Sequence, residues 1–264
     1  MENFFFLIYP FLACIALVLI HAYFGIHILE RGIIFVDIAM AQFIGIGIAL
    51  SFYLSYENHY ILAIFFALLS AVVLALVKKT ENLINLEAFI GVFYVFSFAI
   101  SMLILDRSPH GAEEFKAILN GNILWVSKND VIYAYILYFV IAIFHIIFRD
   151  KFFAITFEKK RSFVWEFLFF FTFGLVLVKS VVMAGVLTVF SFLIIPALIG
   201  RLFTQKILKS LTIGYIVGTL STFTSIFLSF KFDLPTSTLI VTIMSLIFFV
   251  LFLVKVFKSG VSIL

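Results

Sequence analysis

Long apolar runs recur along this chain and constrain its fold more than any other feature. A helix needs about 20 consecutive apolar residues to cross the hydrocarbon core of a bilayer. Nine segments reach roughly that length, at 4–28, 33–55, 60–77, 86–105, 131–148, 163–179, 181–200, 207–230 and 235–256. None of them alternates apolar and polar residues as the strands of a membrane barrel do. The pattern predicts an all-α, polytopic membrane bundle with eight or nine transmembrane helices.

The composition excludes a water-soluble protein. Hydrophobic residues make up 65% of the 264 residues and charged residues only 12%, whereas soluble domains carry about 25% charged residues. The net charge of +4 comes from Lys and Arg in the connections, so we expect lipid contacts and no nucleic-acid partner. The single cysteine, Cys14, allows no intramolecular disulfide. Because no linker, repeat or low-complexity tract interrupts the runs, we expect one transmembrane domain, 1–264.

Basic residues predict the orientation, because cytoplasmic loops are enriched in Lys and Arg. The first run lacks the positively charged start of a signal peptide, and we therefore expect it to remain as a helix. The minority side carries Arg107, Lys116, Lys128, Lys179 and Lys231, which leaves 13 of the 18 Lys and Arg on the side of the C-terminus. We therefore expect a cytoplasmic C-terminus; the side of the N-terminus depends on whether the first run crosses fully.

A proline and three cations mark one connection between runs. Pro196 follows about ten nearly unbroken apolar residues and precedes Arg201, Lys206 and Lys209. Because proline lacks a backbone donor and clashes with the preceding turn, the helix is expected to stop there. A short basic segment would follow at the cytoplasmic face, where it could dock on a soluble partner. The chain would then re-enter the membrane at Leu211. A proline-kinked helix followed by a charged loop fits the same residues and is favoured on physical grounds alone.

The loop at 106–130 contains a candidate metal site. Pro109 suits the first turn of a helix, and His110, Glu113 and Glu114 then share one helical face through their i, i+3 and i+4 spacing. Imidazole and carboxylate groups are ligands for a divalent cation such as zinc or manganese. A solvated loop helix without a metal fits the pattern too, and is preferred on the residues alone.

Asp37 is the best-placed ionisable residue within an apolar run. A charged side chain near mid-helix in a bilayer costs about 2.5–3.5 kcal/mol, so it needs a physical reason. Gln42 follows a little over one turn later, and Gly45 and Gly47 allow another helix to approach closely. The sequence supports equally a functional carboxylate and an aspartate that is paired with a polar neighbour or hydrated at the interface.

The remaining ionisable residues of the runs are expected to be structural. Glu87 and Glu166 begin their spans, where a carboxylate stabilises a helix N-terminus. Lys179 marks an outer boundary between two spans, from which its side chain can reach the headgroups. His21 and His27 are separated by about 600° of helix rotation and therefore form no metal pair.

Motifs of several enzyme classes are absent from the sequence. There is no GxxxxGK[ST] for nucleotide hydrolysis, and no HExxH or GxSxG for an intramembrane protease or lipase. We therefore expect a transport subunit with no catalytic residue and no bound cofactor, so that ATP hydrolysis would need a partner chain. A secondary transporter driven by an ion gradient fits the composition as well.

Five segments resemble, in the correct order, the membrane permease subunit of ABC importers for zinc, manganese or iron. They are HILERGIIFVDIAMAQ, NLEAFIGVFYVFSFAISMLIL, ILNGNILWVSKNDV, VLTVFSFLIIPALIGRLFT and DLPTSTLIVTIMSLIFFVLFL. Apolar runs look alike, so each segment is weak alone, but together they cover nearly the whole chain. The resemblance implies a type II ABC importer-like permease of the cytoplasmic membrane of a prokaryote.

The resemblance also implies partners and positions. The permease would function as a homodimer with two cytoplasmic ABC ATPase subunits, fed by an extracytoplasmic metal-binding protein, and the cargo site would lie between subunits. Pro196, Ala197, Arg201 and Lys206 would lie at the ATPase interface. Asp37 would line the metal pathway.

One departure from the family pattern concerns the metal. In many members the aspartate at the position of Asp37 is followed four residues later by a histidine, and then by Pro-Gly. Here Ala41 stands at the histidine position and Gly45 at the proline position. A nitrogen ligand is therefore missing, so either His110 compensates, or the cargo is a metal chelate or another ion. The spans do not identify the metal.

Overall fold

The protein is described by a computed structural model covering residues 6–56, 58–80, 83–108, 110–121 and 123–258. Every regular element in these ranges is a helix. The α-helices are α1 (Ile8–Arg31), α2 (Val36–Tyr53), α3 (His59–Lys79), α4 (Leu86–Leu105), α5 (Gly111–Asn120), α6 (Lys128–Ile147), α7 (Arg149–Thr156), α8 (Phe163–Ala184), α9 (Val186–Phe203), α10 (Ile207–Phe232) and α11 (Thr236–Lys258). A short 3₁₀ helix at Ile123–Trp125 precedes α6.

Nine of the described helices, all except α5 and α7, are long and apolar enough to cross a membrane. The predicted all-α membrane bundle is therefore confirmed. The predicted boundary between the sixth and seventh spans is wrong by about one turn, because α8 continues to Ala184 and the break falls at Gly185. Gly185 has φ 77°, a left-handed conformation that side chains disfavour and glycine tolerates.

Local sequence explains several helix ends. Asn58, Asn85 and Ser127 are N-cap residues whose side-chain oxygens accept a backbone N–H of the following turn at 3.0–3.2 Å. Such caps satisfy donors that have no partner within the helix. At the other end of α1, Gly32 adopts φ 66° and its N–H donates to the carbonyl of Leu29, which is the usual glycine stop.

The inside of the bundle is formed by α1, α2 and α8. In their membrane-spanning segments 72%, 78% and 72% of the residues are buried, against 11% in α11. Lipid tails are as apolar as leucine, so helices associate in a bilayer mainly through close packing at small residues. Gly25 of α1 lies against the backbone of Leu193 in α9, and Gly214 of α10 lies against the carbonyl of Pro196.

Two ion pairs bring several connections to one face. Glu30 pairs with Arg201 in the last turn of α9, and Arg31 pairs with Glu166 at the start of α8. Lys79 at the end of α3 lines the same cavity as Arg31. The face that carries Arg31, Lys79 and Arg201 is called the basic face. These basic residues are far apart in the sequence and lie on the same face of the bundle. The orientation predicted from the Lys and Arg count requires them to lie on one side of the membrane.

Lys179 contributes to the packing near the opposite face. Its Nζ lies 2.7 Å from Oδ1 of Asp130 in α6 and donates to the hydroxyl of Tyr60 in α3 at 3.3 Å. The lysine side chain is only 9% exposed. The prediction that it lies at a span boundary and reaches the headgroups is wrong, because an acidic partner holds it inside the bundle. This ion pair joins α3, α6 and α8.

We expect Gly214→Ala to destabilise the protein by about 1–3 kcal/mol, as overpacking of a tight interior does. The new Cβ would lie 2.5 Å from the carbonyl oxygen of Pro196, and α9 and α10 would have to separate. The measurement is the free energy of unfolding of the purified protein in mild detergent.

Gly91→Ala is the matched control, because a Cβ at Gly91 of α4 meets no atom within 4 Å. Alanine favours a helix over glycine by up to about 1 kcal/mol, so this variant should be neutral or more stable. Equal stability of the two variants would contradict close packing at Gly214.

Candidate functional site

The helix that contains Pro196 does not stop there. α9 continues through the proline to Phe203, and α10 begins at Ile207. The predicted stop at Pro196 and re-entry at Leu211 are therefore wrong, and the alternative of a helix that continues through the proline is correct. Transmembrane helices tolerate proline because neighbouring helices and local adjustments satisfy the freed backbone groups. A short turn at 204–206, without a helical segment of its own, connects the two helices.

Pro196 and Ala197 are buried between helices. The carbonyl of Pro196 faces Gly214, its ring lies near Gly218, and Ala197 packs against Gly25. Neither residue is exposed to a soluble partner in this conformation, so their predicted place at an exposed interface is wrong. Both residues are buried because they lie where α9 packs closely against α1 and α10.

Arg201 and Lys206, by contrast, bracket the turn. Arg201 occupies the last turn of α9, pairs with Glu30 and donates from Nη1 to the carbonyl of Gln205 at 2.7 Å. Lys206 is the exposed N-cap of α10, and its backbone N–H donates to the Thr204 hydroxyl at 3.2 Å. The turn therefore presents a lysine to solvent while Arg201 ties it to the end of α1.

A buried ion pair lies next to that contact. Nη1 of Arg31 is 2.6 Å from Oε2 of Glu166, and the two side chains are 2% and 5% exposed. The guanidinium lies 3.9 Å from the ring centre of Phe169, and its Nε donates to the Thr156 hydroxyl at 3.1 Å. The same hydroxyl contacts Nδ1 of His27 at 2.8 Å. This cluster joins α1, α7 and α8.

The pairing of Arg31 with Glu166 was not predicted from the sequence. A helix-terminal carboxylate explained Glu166 adequately, and Arg31 was counted with the loop cations. The available signal was an arginine ending one predicted span and a glutamate beginning another on the same side. Sequence separation hides such a pair, because the two residues are 135 positions apart.

The inner histidines do not form a metal site. His145 contacts the hydroxyl of Tyr23 through Nδ1 at 3.0 Å and that of Thr172 through Nε2 at 2.9 Å. Nδ1 of His21 contacts the carbonyl of Leu17 at 2.9 Å, while His27 contacts α7 instead. The predicted separation of His21 and His27 agrees with these different partners. Among the described residues, no group of three or more His, Cys, Asp or Glu could hold a metal ion.

Asp37 lacks the polar partners that these histidines have. It lies in the first turn of α2 with 0% exposure, and neither carboxylate oxygen has a hydrogen-bond partner among the described residues. Neither a polar partner nor hydration at the interface therefore accounts for it. Ala41, one turn later, is also buried. At Gly45 the nearest atom to an added Cβ would be Oγ of Ser101 at 3.8 Å, an ordinary van der Waals distance, so α2 is packed against α4 on that side.

His110 and Glu113 lie far from Asp37. His110 immediately precedes α5, and its Nδ1 is 3.8 Å from Oε2 of Glu113, with side chains 74% and 86% exposed. Pro109 and the side chain of Glu114 lie outside the described residues. The shared face predicted for His110 and Glu113 is present, and its exposure matches the solvated-helix alternative.

Distance separates these residues from the intramembrane carboxylate. Phe35, which precedes α2, donates its backbone N–H to Glu87 at the start of α4, whereas His110 follows the far end of α4. A helix of 20 residues spans about 30 Å. Within one subunit the structure does not bring Asp37 and His110 into one ligand shell, so His110 does not supply the missing nitrogen ligand to the Asp37 of its own chain.

Comparison with known proteins identifies the class. The model of the ABC 3 transport family matches residues 3–255. The chain belongs to the ABC 3 transport family. It is thus a multi-pass membrane permease subunit of the ABC transporter class, as the ordered segments indicated.

Relatives and a solved structure agree with this family. The chain is similar to a probable iron transport system membrane protein of Haemophilus influenzae, with 24% identity over 88% of this chain and 84% of that one. It is 25% identical to the manganese transport system membrane protein MntC of Listeria monocytogenes, over 87% and 83%. PsaBC from Streptococcus pneumoniae, solved in complex with a Fab, shares the fold, with a TM-score of 0.78, 22% identity and coverage of 94% and 91%.

We expect Glu166→Gln to destabilise the protein by about 3–5 kcal/mol, because it leaves the buried guanidinium of Arg31 without its counter-charge. The measurement is again the free energy of unfolding in detergent. Glu158→Gln is the control: Glu158 pairs with Lys160 at 2.7 Å, but the two side chains are 47% and 70% exposed, and such surface pairs contribute about 0–1 kcal/mol. If Glu166→Gln and Glu158→Gln lowered the free energy of unfolding equally, burial would not make the Arg31–Glu166 pair more stabilising than a surface pair.

Proposed function

We propose that this chain is the permease subunit of an ATP-binding-cassette importer for a divalent metal of the manganese, iron or zinc class. The subunit works as a homodimer, with its basic face and C-terminus in the cytoplasm. A separate ABC ATPase subunit hydrolyses ATP, and an extracytoplasmic metal-binding protein delivers the cargo. Family membership and the iron and manganese transport names of the relatives support this proposal.

The carboxylate of Asp37 is the observation that supports cation transport most directly. An isolated charge in an apolar interior is very costly unless it is neutralised or paired. Both of its oxygens lack a hydrogen-bond partner among the described residues, so a passing cation would supply the missing charge. In the dimer, the second subunit adds further ligands.

The type of ligand atom that the chain offers indicates which cation it transports. Carboxylate oxygens suit manganese, whereas zinc sites in proteins use nitrogen and sulfur ligands more often. Ala41 supplies no ligating side chain at the position where a histidine would stand. We therefore favour manganese or ferrous iron over zinc. A metal chelate is the alternative cargo, because it would bring ligands of its own in place of the histidine that is missing at Ala41.

We expect Asp37→Asn to lower uptake of radioactive manganese by cells about tenfold or more at limiting metal, equivalent to at least about 1.4 kcal/mol of lost cation stabilisation. The substitution keeps the side-chain shape and removes the charge. Uptake is measured at matched membrane abundance of the protein. Asp150→Asn, which removes an exposed acid at the start of α7 (91% exposed), should leave uptake unchanged.

Normal manganese uptake by Asp37→Asn would refute a role for this carboxylate in the pathway. Competition by unlabelled iron, zinc and chelated metal in the same assay identifies the cargo. A chelate that competes better than any free ion would favour the alternative.

The turn at 204–206 is the candidate contact with the ATPase. It is short, lies on the basic face, and exposes Lys206. Arg201 links the turn to Glu30 at the end of α1, so a force applied to the turn reaches a central helix directly. ATP-driven movement of the partner would pass into the bundle at this point.

We expect Arg201→Glu to lower the ATP hydrolysis coupled to transport roughly fivefold, equivalent to about 1 kcal/mol, because it places two carboxylates together at Glu30. The double variant Glu30→Arg/Arg201→Glu re-creates an ion pair and should recover part of the loss. Lys258→Glu changes the same charge at the end of α11 and serves as the control. The measurement is metal-stimulated ATPase activity of the reconstituted complex; full coupling in Arg201→Glu would contradict the docking role.

A further inference from the structure

A cavity of about 560 Å³ opens on the basic face and is not used by the proposed transport mechanism. Its walls come from the end of α1, the end of α3, the end of α7, the segment 159–162 and the start of α8. We call it the basic pocket. It lies at helix ends, which in a membrane protein places it at the depth of the lipid headgroups.

The charge of the basic pocket favours an anion. Six basic side chains line it, and two acidic ones accompany them; these eight residues are Arg31, Lys78, Lys79, Lys159, Lys160, Arg161, Glu30 and Glu166. Both carboxylates already face a cation, because Glu30 pairs with Arg201 and Glu166 with Arg31. Lys160 also contacts Glu158. The excess of positive charge is unsuitable for a metal cation and suits a phosphate group.

A buried donor in the pocket wall gives independent evidence for a ligand. Arg31 has a side chain that is 2% exposed, and its Nη2 has no hydrogen-bond partner among the described residues. Its other guanidinium nitrogens are used by Glu166 and Thr156. A buried donor without a partner is unfavourable, and more so when it is charged. An anion in the pocket would accept this hydrogen bond.

The start of α8 adds a second set of donors. Ser162 is the N-cap of this 22-residue helix, and its side chain forms no capping hydrogen bond. Ser162 and Phe163 both line the pocket. The first N–H groups of a helix have no partner within it, and the helix dipole makes this end favourable for phosphate. The donors and the lysines therefore face the same cavity.

An apolar border makes the pocket suitable for a lipid in particular. Leu29, Ala75, Ile155 and Phe163 line it beside the charged residues, and Phe163 is 41% exposed. Acyl chains could contact this border while the phosphate meets the lysines. A fully soluble anion would make no use of these side chains.

We propose that the basic pocket binds a phosphate group, carried by an anionic phospholipid headgroup or present as soluble phosphate. Basic pockets at this depth bind anionic headgroups through the charge of their Lys and Arg side chains. The bound phosphate completes the hydrogen bonds of Arg31 and ties the connections of the basic face together. This site is independent of the Asp37 pathway, and neither depends on the other.

The first experiment measures phosphate binding by the full-length protein, purified and delipidated in mild detergent. Dioctanoyl-phosphatidylglycerol, inorganic phosphate and sodium chloride of equal ionic strength are titrated separately while the thermal unfolding temperature is recorded. We expect a saturable rise with phosphatidylglycerol and little with chloride. Saturation by inorganic phosphate alone would identify soluble phosphate as the ligand. An equal effect of chloride would overturn the proposal.

The second experiment removes positive charge from the basic pocket and repeats the lipid titration. Lys79→Gln/Lys159→Asn removes two exposed pocket lysines; asparagine suits position 159, where φ is 52°. The half-saturating lipid concentration should rise about tenfold or more. Lys255→Gln/Lys258→Gln removes two lysines of the basic face outside the pocket and should change little. Equal shifts in the two double variants would indicate only general attraction to the surface and refute the site.

A footprint on the unaltered protein provides a test that does not rely on variants folding. Phosphatidylglycerol or phosphate should protect Lys79 and Lys159 from acetylation more than Lys255 and Lys258, measured by mass spectrometry. Equal protection of all four lysines would overturn the proposal. Selective protection would support it even if the double variant were unstable.

Discussion

The interior of a bilayer offers no water, so a charged side chain within a span needs a partner inside the protein. This constraint accounts for much of the polar chemistry of the chain. Arg31 and Glu166 join α1 to α8 near the basic face, and Lys179 and Asp130 join α8 to α6 near the opposite face. Burial makes each partner necessary to the other. These ion pairs, with the close contacts at glycines, position helices that lipid alone would not bring together.

Against that background, Asp37 stands out because it breaks the rule. Its carboxylate is fully buried and no described residue donates to it. The inner histidines each have at least one hydroxyl or carbonyl partner, whereas Asp37 has none, and this contrast supports the proposed role of its carboxylate in the cation pathway. The residue was recognisable from the sequence as a charge in an apolar run, but its lack of a partner was visible only in three dimensions.

The sequence predicted the general architecture and the family well, and the particular contacts less well. Spans are encoded locally by 20-residue apolar runs, so their number was predictable without any tertiary information. Pro196 was misjudged because its cost depends on the neighbours: packed between Gly25, Gly214 and Gly218, α9 continues where an isolated helix would break. Lys179 was misplaced for a similar reason, since Asp130 lies 49 positions away in sequence. The separation of His110 from Asp37 likewise depends on the path of α4 and not on local pattern.

The two ion pairs at the end of α1 involve consecutive residues. Glu30 holds the turn after α9, and Arg31 holds the start of α8. Neighbouring side chains on a helix point about 100° apart, so the two ion pairs hold the end of α1 from two directions. Together they restrain its rotation about the helix axis. Both contacts lie at one end of a helix that is about 36 Å long for its 24 residues. A displacement of the turn after α9 would therefore act on the end of a helix that is long enough to reach the opposite membrane surface.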